Sequence, residues 1–552
     1  MTLATRLTRR NTGKPRQRAE ETQLSASVRR SAIWSVASTI VVRFANIAIT
    51  AVVAHILDPR DFGVFAVAST AYAIVSSIGD LGVASCLMRA DLDLDSLAST
   101  VATVSLVTSA VLAGVMVLFA EPIASALGSA AAGGPIRVMA IAVMLVGVFA
   151  VPGAQLVRDF KQDKQFLANI ISFVPSTVVL LILAKSGSGA MAFAWSRVAG
   201  QVVAGSVMVA CVPRNYRPGL VRGALSVLFR FGLPLAGANF VNYILLNVDY
   251  ALVGRFMGAV ALGTYVLAFN VASWPSSLLG AMINNVSMPA FSRVKHDLDL
   301  LRSAMSSAVR AVVIVVMPIC ALSSALARPL VLTLYGAQWT GASRVLAILA
   351  GYSAISVVCL LFANMLAGLG RTRFLFVVQL LWLGALAPAM AVGVHFDGIV
   401  GAAVAHLIVI GPIVLPAYLF ALKRSTGVRI TALVRAAWPA VLGSVLAAGA
   451  ARIAAGRLEL PVAQLAVGLA VGGLVYLIAI APLAADLLGE KMSARVRGTR
   501  IFRGYSHTAR FAGIYIDGRP KHSAGRRSRR TRQIKERERR DLRPSSLHAS
   551  RQ

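Results

Sequence analysis

Apolar runs of about 20 residues, each closed by a short polar or charged connector, recur along most of the chain. Each is long enough to cross ~30 Å of hydrocarbon as an α-helix. A backbone in lipid must satisfy its own hydrogen bonds, so runs of this length predict helices rather than open sheet. The expected spans lie near residues 32–56, 62–87, 97–119, 137–157, 166–184, 189–212, 229–254, 260–288, 308–335, 343–369, 374–395, 398–421, 432–453 and 462–486. The expected fold is an all-α polytopic membrane protein with about fourteen transmembrane helices.

The pattern repeats at an offset of about 200 residues, as an internally duplicated transporter would. Ala51 to Ala68 lies over Ala251 to Ala268. Within and beyond that match Gly63 falls on Gly263, Phe65 on the aromatic Tyr265, and Ser76-Ser77 on Ser276-Ser277. Six spans separate the copies, an even number, so both halves run in the same direction. The expected object is two six-helix lobes about a pseudo-two-fold axis along the membrane normal, with a cavity between them. The division this predicts is a basic tail at 1–30, one lobe at 31–212, a second at 226–421, a helix pair at 432–486 and a basic tail at 487–552.

Composition narrows the class. Of 552 residues 57% are hydrophobic and only 14% charged, too few charges to cover a soluble body of this size. The net charge of +33 is concentrated at the ends: Met1 to Arg30 holds 8 Lys/Arg against 2 acids, and Leu487 to Gln552 holds 19 against 5. Basic, disordered tails beside a bilayer answer to anionic lipid, so membrane lipids and not nucleic acid are the expected partners. Within the body, 18 Lys/Arg fall on one set of connectors and 8 on the other. The richer set lies on the side of both termini, which places them in the cytoplasm. The first 30 residues lack the apolar core of a cleavable signal, so the first span is expected to be retained.

Cys86, Cys211, Cys320 and Cys359 are scattered without CxxC spacing, and neither a disulfide nor a metal site is expected. There is no phosphate-binding Gly-rich loop and no nucleophile elbow. Asp91, Asp93 and Asp95 form a DxDxD in a short connector and read as a solvated loop. No enzyme activity and no cofactor are therefore expected, and the energy for transport would come from an ion or substrate gradient.

Polar side chains inside the spans carry the most information, because each is costly in lipid. In the first span Ser35, Ser38, Thr39, Arg43, Asn46 and Thr50 share one helix face. Arg43 near mid-helix costs at least about 2.5–3.5 kcal/mol unless it meets water, a partner or a ligand. It either lines a cavity or pairs with a carboxylate such as Asp80. The seventh span carries Asn239, Asn242, Tyr243, Asp249 and Tyr250 on one face, with Tyr243 at the repeat position of Arg43. Asp249 is either a proton or cation site or the partner of Arg255. Asn270 and Trp274, then Asn284 and Asn285, could bind hydroxylated ligands or each other. Arg197, Gln201 and Asn364 are further candidates, whereas a lone His406 reads as a packed, satisfied residue. Prolines interrupt many spans and would permit bending.

Leu57-Asp-Pro-Arg-Asp-Phe-Gly63, continuing to Gly79-Asp-Leu-Gly82, resembles the L-x-P-x-D-F-G and D-L-G pattern of polysaccharide flippases. These are the Wzx-like, exopolysaccharide or teichuronate exporter branch of the multidrug/oligosaccharidyl-lipid/polysaccharide exporter superfamily. Asn247-Val-Asp-Tyr-Ala-Leu-Val-Gly-Arg-Phe-Met-Gly258 and Ser287-Met-Pro-Ala-Phe-Ser-Arg293 resemble its second-half signatures, and the likeness spans most of residues 30–420. The resemblance implies a two-lobed flippase that moves an undecaprenyl-diphosphate-linked oligosaccharide across the inner membrane by alternating access, alongside polysaccharide polymerase or export machinery. Arg43 and Arg197 would then meet the diphosphate. Asn46, Gln201, Asn239, Asn242, Tyr243, Asn270 and Trp274 would meet the sugars, and Asp249 or Asp80 would hold a coupling cation. The long basic C-terminal tail is not part of the shared pattern. A lipid II flippase, a cation-coupled multidrug antiporter and a non-transporting membrane anchor are the competing classes.

Overall fold

The computed structural model describes residues 45–79, 94–159, 161–212, 218–294 and 296–487. It forms two compact units, Met1–Ile480 and Ala481–Gln552; of the second only residues 481–487 are described. Everything below concerns the first.

The described chain is helical from end to end. Its first half holds α1 (Ala45–Ala54), α2 (Pro59–Gly79), α3 (Leu94–Leu118), the short α4 (Ala120–Ala126), α5 (Gly133–Arg158), α6 (Gln162–Lys185) and α7 (Ala190–Cys211). The second half holds α8 (Arg222–Ala272), α9 (Trp274–Val294), α10 (Leu298–Ala325), the short α11 (Ala327–Tyr335), α12 (Ala342–Gly368), α13 (Thr372–Val409) and α14 (Leu415–Thr426). The helices α15 (Ile430–Ala455) and α16 (Pro461–Leu487) follow.

Among the described residues eleven stretches are long and apolar enough to cross a membrane, against the fourteen expected. The first expected span lies mostly outside the described residues. The stretch Thr372–Thr426 runs for 55 residues, yet Asp397 and Gly398 leave the helical conformation inside it. At 1.5 Å per residue it is long enough for two crossings. The eighth expected span is split at Ser273, with Pro275 in the first turn of α9, and α9 carries Asn284 and Asn285 among its apolar residues. The ninth also differs: α10 stops at Ala325 and α11 begins separately, because Leu326 departs from helical geometry.

Exposure runs inside out relative to a soluble protein. On α3, Val107, Val111, Val115 and Leu118 form an exposed apolar stripe, while Thr100, Ser105 and Ser109 are buried. A stripe of this kind has lipid as its natural solvent, and the chain is a multi-pass membrane protein.

The two halves repeat one architecture. In the first, α4 ends at Gly128 (φ 93°), a 3₁₀ turn spans Ala130–Ala132, and α5 starts. In the second, α11 ends at Gly336 (φ 93°), a 3₁₀ turn spans Ala337–Trp339, and α12 starts. The turn before α7 pivots on Gly189 (φ 55°, ψ −132°), and the turn inside α13 on Gly398 (φ 54°, ψ −131°). Only glycine enters such backbone geometry without strain.

Contacts between the halves are reciprocal as well. Helices α2 and α8 cross so closely that a Cβ on Gly63 would overlap the carbonyl oxygen of Ala259, and one on Gly263 would overlap that of Pro59. Under the 200-residue offset these two contacts exchange into each other, which is what a two-fold axis through the crossing requires. The corner at Gly128 meets Gly254 and Arg255, and the corner at Gly336 meets His55, the repeat position of Arg255. There the Trp339 indole N–H donates to the Ala54 carbonyl at 2.9 Å, Gln338 donates to the same oxygen, and the Trp339 ring packs edge-on against Phe62 at 4.8 Å.

Candidate functional site

A buried carboxylate and a buried imidazole meet in the second half, between α8, α12 and α13. Asp249 is 2% exposed and His406 4%, so neither can be solvated from outside the bundle. The Tyr265 hydroxyl donates to Asp249 Oδ2 at 3.2 Å, and the Tyr250 backbone N–H donates to Oδ1 at 2.9 Å. His406 Nε2 stands 3.5 Å from the same Oδ2. Aromatic rings enclose the pair: Tyr352 lies 4.8 Å and Phe269 5.7 Å from the imidazole, centroid to centroid, and Tyr250 meets Tyr265 edge-on.

The local sequence explains how His406 arrives there. Gly398 restarts the helix after the turn, and eight residues on the imidazole faces α8 and α12. Just beyond it Pro412 lacks an N–H, and residues Ile410–Val414 form a π-helical turn before α14 resumes. Single π-turns of this sort accommodate a missing donor and recur beside functional residues.

His406 was expected to be packed and satisfied. It is packed, but neither ring nitrogen has a hydrogen-bond partner among the described residues. The partners of Asp249 are Tyr265 and His406, and Arg255 is exposed elsewhere. The repeat gives His406 a counterpart in the first half. Gly189 and Gly398 are equivalent, so Arg197 and His406, each eight residues later, occupy the same place in their halves.

Arg197 projects from α7 with its guanidinium carbon 4.6 Å from the centre of the Tyr72 ring on α2, and is otherwise exposed. Because α2 is the helix that crosses α8, this cation lies on the side of α7 nearest the other half. Gln201, one turn further along α7, is half-buried. Asn46 lies on α1, with its side chain exposed. Tyr243 is exposed on α8, and Asn270 is exposed but donates to the Val266 carbonyl at 3.1 Å. Trp274 opens α9 and is half-buried. Asn239 and Asn242 lie on α8, with side chains outside the described residues, and Arg43, Asp80 and the two basic tails lie outside them altogether. Asn364 on α12 donates to Asn284 on α9 at 2.8 Å, so this pair ties helices together. Gln155 is a polar residue not singled out from sequence: it is buried on α5 with its amide nitrogen unpaired among the described residues.

Two equivalent helical halves that cross at a glycine pair and hold buried polar groups define a polytopic helical membrane protein built on an internal repeat. The fold agrees: the chain matches the structure described as lipid II flippase MurJ, inward closed conformation, with a TM-score of 0.67 at 15% identity, over 85% of this chain and 100% of that one. The chain belongs to the polysaccharide biosynthesis protein family, whose model matches residues 52–344. The Succinoglycan biosynthesis transport protein ExoT of Rhizobium meliloti (strain 1021) is 28% identical over 406 residues, which is 72% of this chain and 81% of that protein. The Lipopolysaccharide biosynthesis protein WzxC of Escherichia coli (strain K12) is 24% identical over 384 residues, 68% of this chain and 77% of that protein.

Proposed function

We propose that this protein is a flippase that carries polyprenyl-diphosphate-linked oligosaccharide repeat units across the cytoplasmic membrane for surface polysaccharide synthesis. One observation carries the proposal: a chain of the polysaccharide biosynthesis family has a guanidinium, Arg197, within an apolar helix and against the helix that crosses the other half. An arginine there costs about 2.5–3.5 kcal/mol or more in hydrocarbon, and a diphosphate is a ligand whose charge and oxygen acceptors would offset that cost. Arg197, with Arg43 from the first span, would hold the diphosphate. Asn46, Gln201, Asn239, Asn242, Tyr243, Asn270 and Trp274 would meet sugar hydroxyls and faces, while the polyprenyl tail stays in lipid between the halves.

The two lobes, at 31–212 and 226–421, would alternate access about the α2–α8 crossing, with both termini cytoplasmic as the connector charges favour. A coupling cation would bind at Asp249 or Asp80. Polysaccharide polymerase and export machinery would take up the flipped unit.

The test is a deletion strain assayed for surface polysaccharide and lipid-linked intermediates. The expected result is loss of surface glycan, with complete repeat units accumulating on the cytoplasmic leaflet. Normal glycan would overturn the proposal; with drug sensitivity it would point to efflux, and failed depletion with lysis would point to lipid II. In the same strain a chain truncated before Leu487 is expected to restore most of the export, because the candidate residues all precede it. Loss of export with normal membrane insertion would make the basic tail part of the machinery.

A further inference from the structure

We propose that Asp249 and His406 form a proton-binding site, so that the cation coupled to transport is a proton held by a carboxylate–imidazole pair. The proposal rests on the transport function above and names the ion for it. It starts from an unpaid hydrogen bond. The His406 side chain is 5% exposed and the Asp249 side chain 3%, yet neither imidazole nitrogen has a hydrogen-bond partner among the described residues. Buried polar groups are almost always paired, and leaving one unpaired costs about 1–3 kcal/mol. The only acid within reach is the Asp249 carboxylate, whose Oδ2 stands 3.5 Å from Nε2 among the described residues. A proton between these two atoms, with a few tenths of an ångström of closure, turns the gap into a charge-assisted hydrogen bond.

The surroundings favour a proton over a metal cation. A hard alkali cation replaces its water shell with several oxygens, whereas an imidazole nitrogen suits softer ions. Around Asp249 stand the Tyr265 hydroxyl, the Tyr250 backbone N–H and aromatic faces. No third His, Cys, Asp or Glu joins the pair in a cluster among the described residues. The other titratable groups facing it are Tyr250 and Tyr265 from α8, and Tyr352 with Cys359 behind it from α12.

The repeat supplies a reason for a titratable group at this place. Arg197, a guanidinium that keeps its proton, holds the equivalent position in the first half, where the second half carries an imidazole, a side-chain type able to take up and release one. One half therefore has a fixed cation and the other a group that can gain and lose charge, next to the π-turn at Ile410–Val414. The step is a transfer of a proton alone: an O–H bond forms at Asp249 with a proton from water on one face and breaks to water on the other. Nothing is oxidised or reduced, and the net charge of the pair rises by one and returns.

Infrared difference spectra of the full-length protein, titrated between about pH 5 and pH 8 in choline chloride, test this directly. The expected result is a protonated-carboxyl band that titrates in the wild type, vanishes in Asp249→Asn and survives in Asp249→Glu. In His406→Gln its midpoint should move by about one pH unit or more. Replacing choline by sodium should leave the wild-type midpoint unchanged. A band that persists in Asp249→Asn, a midpoint untouched in a folded His406→Gln, or a midpoint displaced by sodium would each overturn the proposal. Should His406→Gln fail to fold, the imidazole ¹⁵N shifts of the wild type and Asp249→Asn decide the same question: identical titrations would remove the pair. Failure of the transport function would look different, since the deletion strain would then make normal glycan while the titration stood.

Discussion

Arg197→Ala is expected to reduce export at least about tenfold, equivalent to ~1.4 kcal/mol of lost binding, while the protein still inserts and folds. The reasoning is electrostatic. The guanidinium lies over the Tyr72 ring at 4.6 Å and is otherwise exposed, so it contributes little to packing. A cation–π contact at an exposed position stabilises by only about 0.5–1 kcal/mol. Removing it therefore leaves the bundle nearly as stable and takes away the described cation best placed for an anionic headgroup. Arg197→Lys should fall between: it keeps the charge but loses the planar fork that grips two phosphate oxygens and stacks on Tyr72. Quantifying surface glycan against membrane-inserted protein in a deletion strain separates these outcomes. Equal export by Arg197→Ala and wild type would remove the residue from the headgroup site.

Gly63→Ala is expected to damage both stability and export, although it adds one methyl group. At the α2–α8 crossing that methyl would overlap the Ala259 carbonyl oxygen, and a backbone oxygen cannot rotate aside as a side chain can. The helices must separate, which as overpacking costs about 1–3 kcal/mol. Gly263→Ala should act alike through Pro59, and the double variant should cost less than the sum, because one separation relieves both overlaps. Gly114→Ala is the control, since nothing stands near its Cβ position. Thermal unfolding in detergent should rank wild type with Gly114→Ala above Gly63→Ala and Gly263→Ala. A Gly63→Ala protein that melts and exports like wild type would show that the halves do not depend on this contact.

These two sites differ in how plainly they show in the sequence. The Gly63 and Gly263 match is visible as an offset, and the structure turns it into a contact. Nothing in the string says that the two glycines touch, because a repeat predicts equivalence and not proximity. Arg197 was conspicuous as a charge in an apolar run. Its relation to His406 was hidden, because the two halves drift from an offset of 200 residues at Gly63 to 209 at Gly189 and Gly398. Part of that drift lies within the helices, since α10 and α11 are longer than α3 and α4, and a constant offset cannot follow it.

Several features of this protein were determined by the sequence alone. Its membrane character, the location of most of its described helices and the family motif all follow from local patterns. In lipid each helix satisfies its own backbone, so length and hydropathy suffice to locate it. Only the tertiary structure decided that α10 and α11 part at Leu326, that the halves cross at a glycine pair, and that Asp249 meets His406 rather than Arg255. Those outcomes depend on which faces of distant helices pack together. Asp249 and His406 stand 157 positions apart along the chain, and no local pattern encodes a contact over that separation.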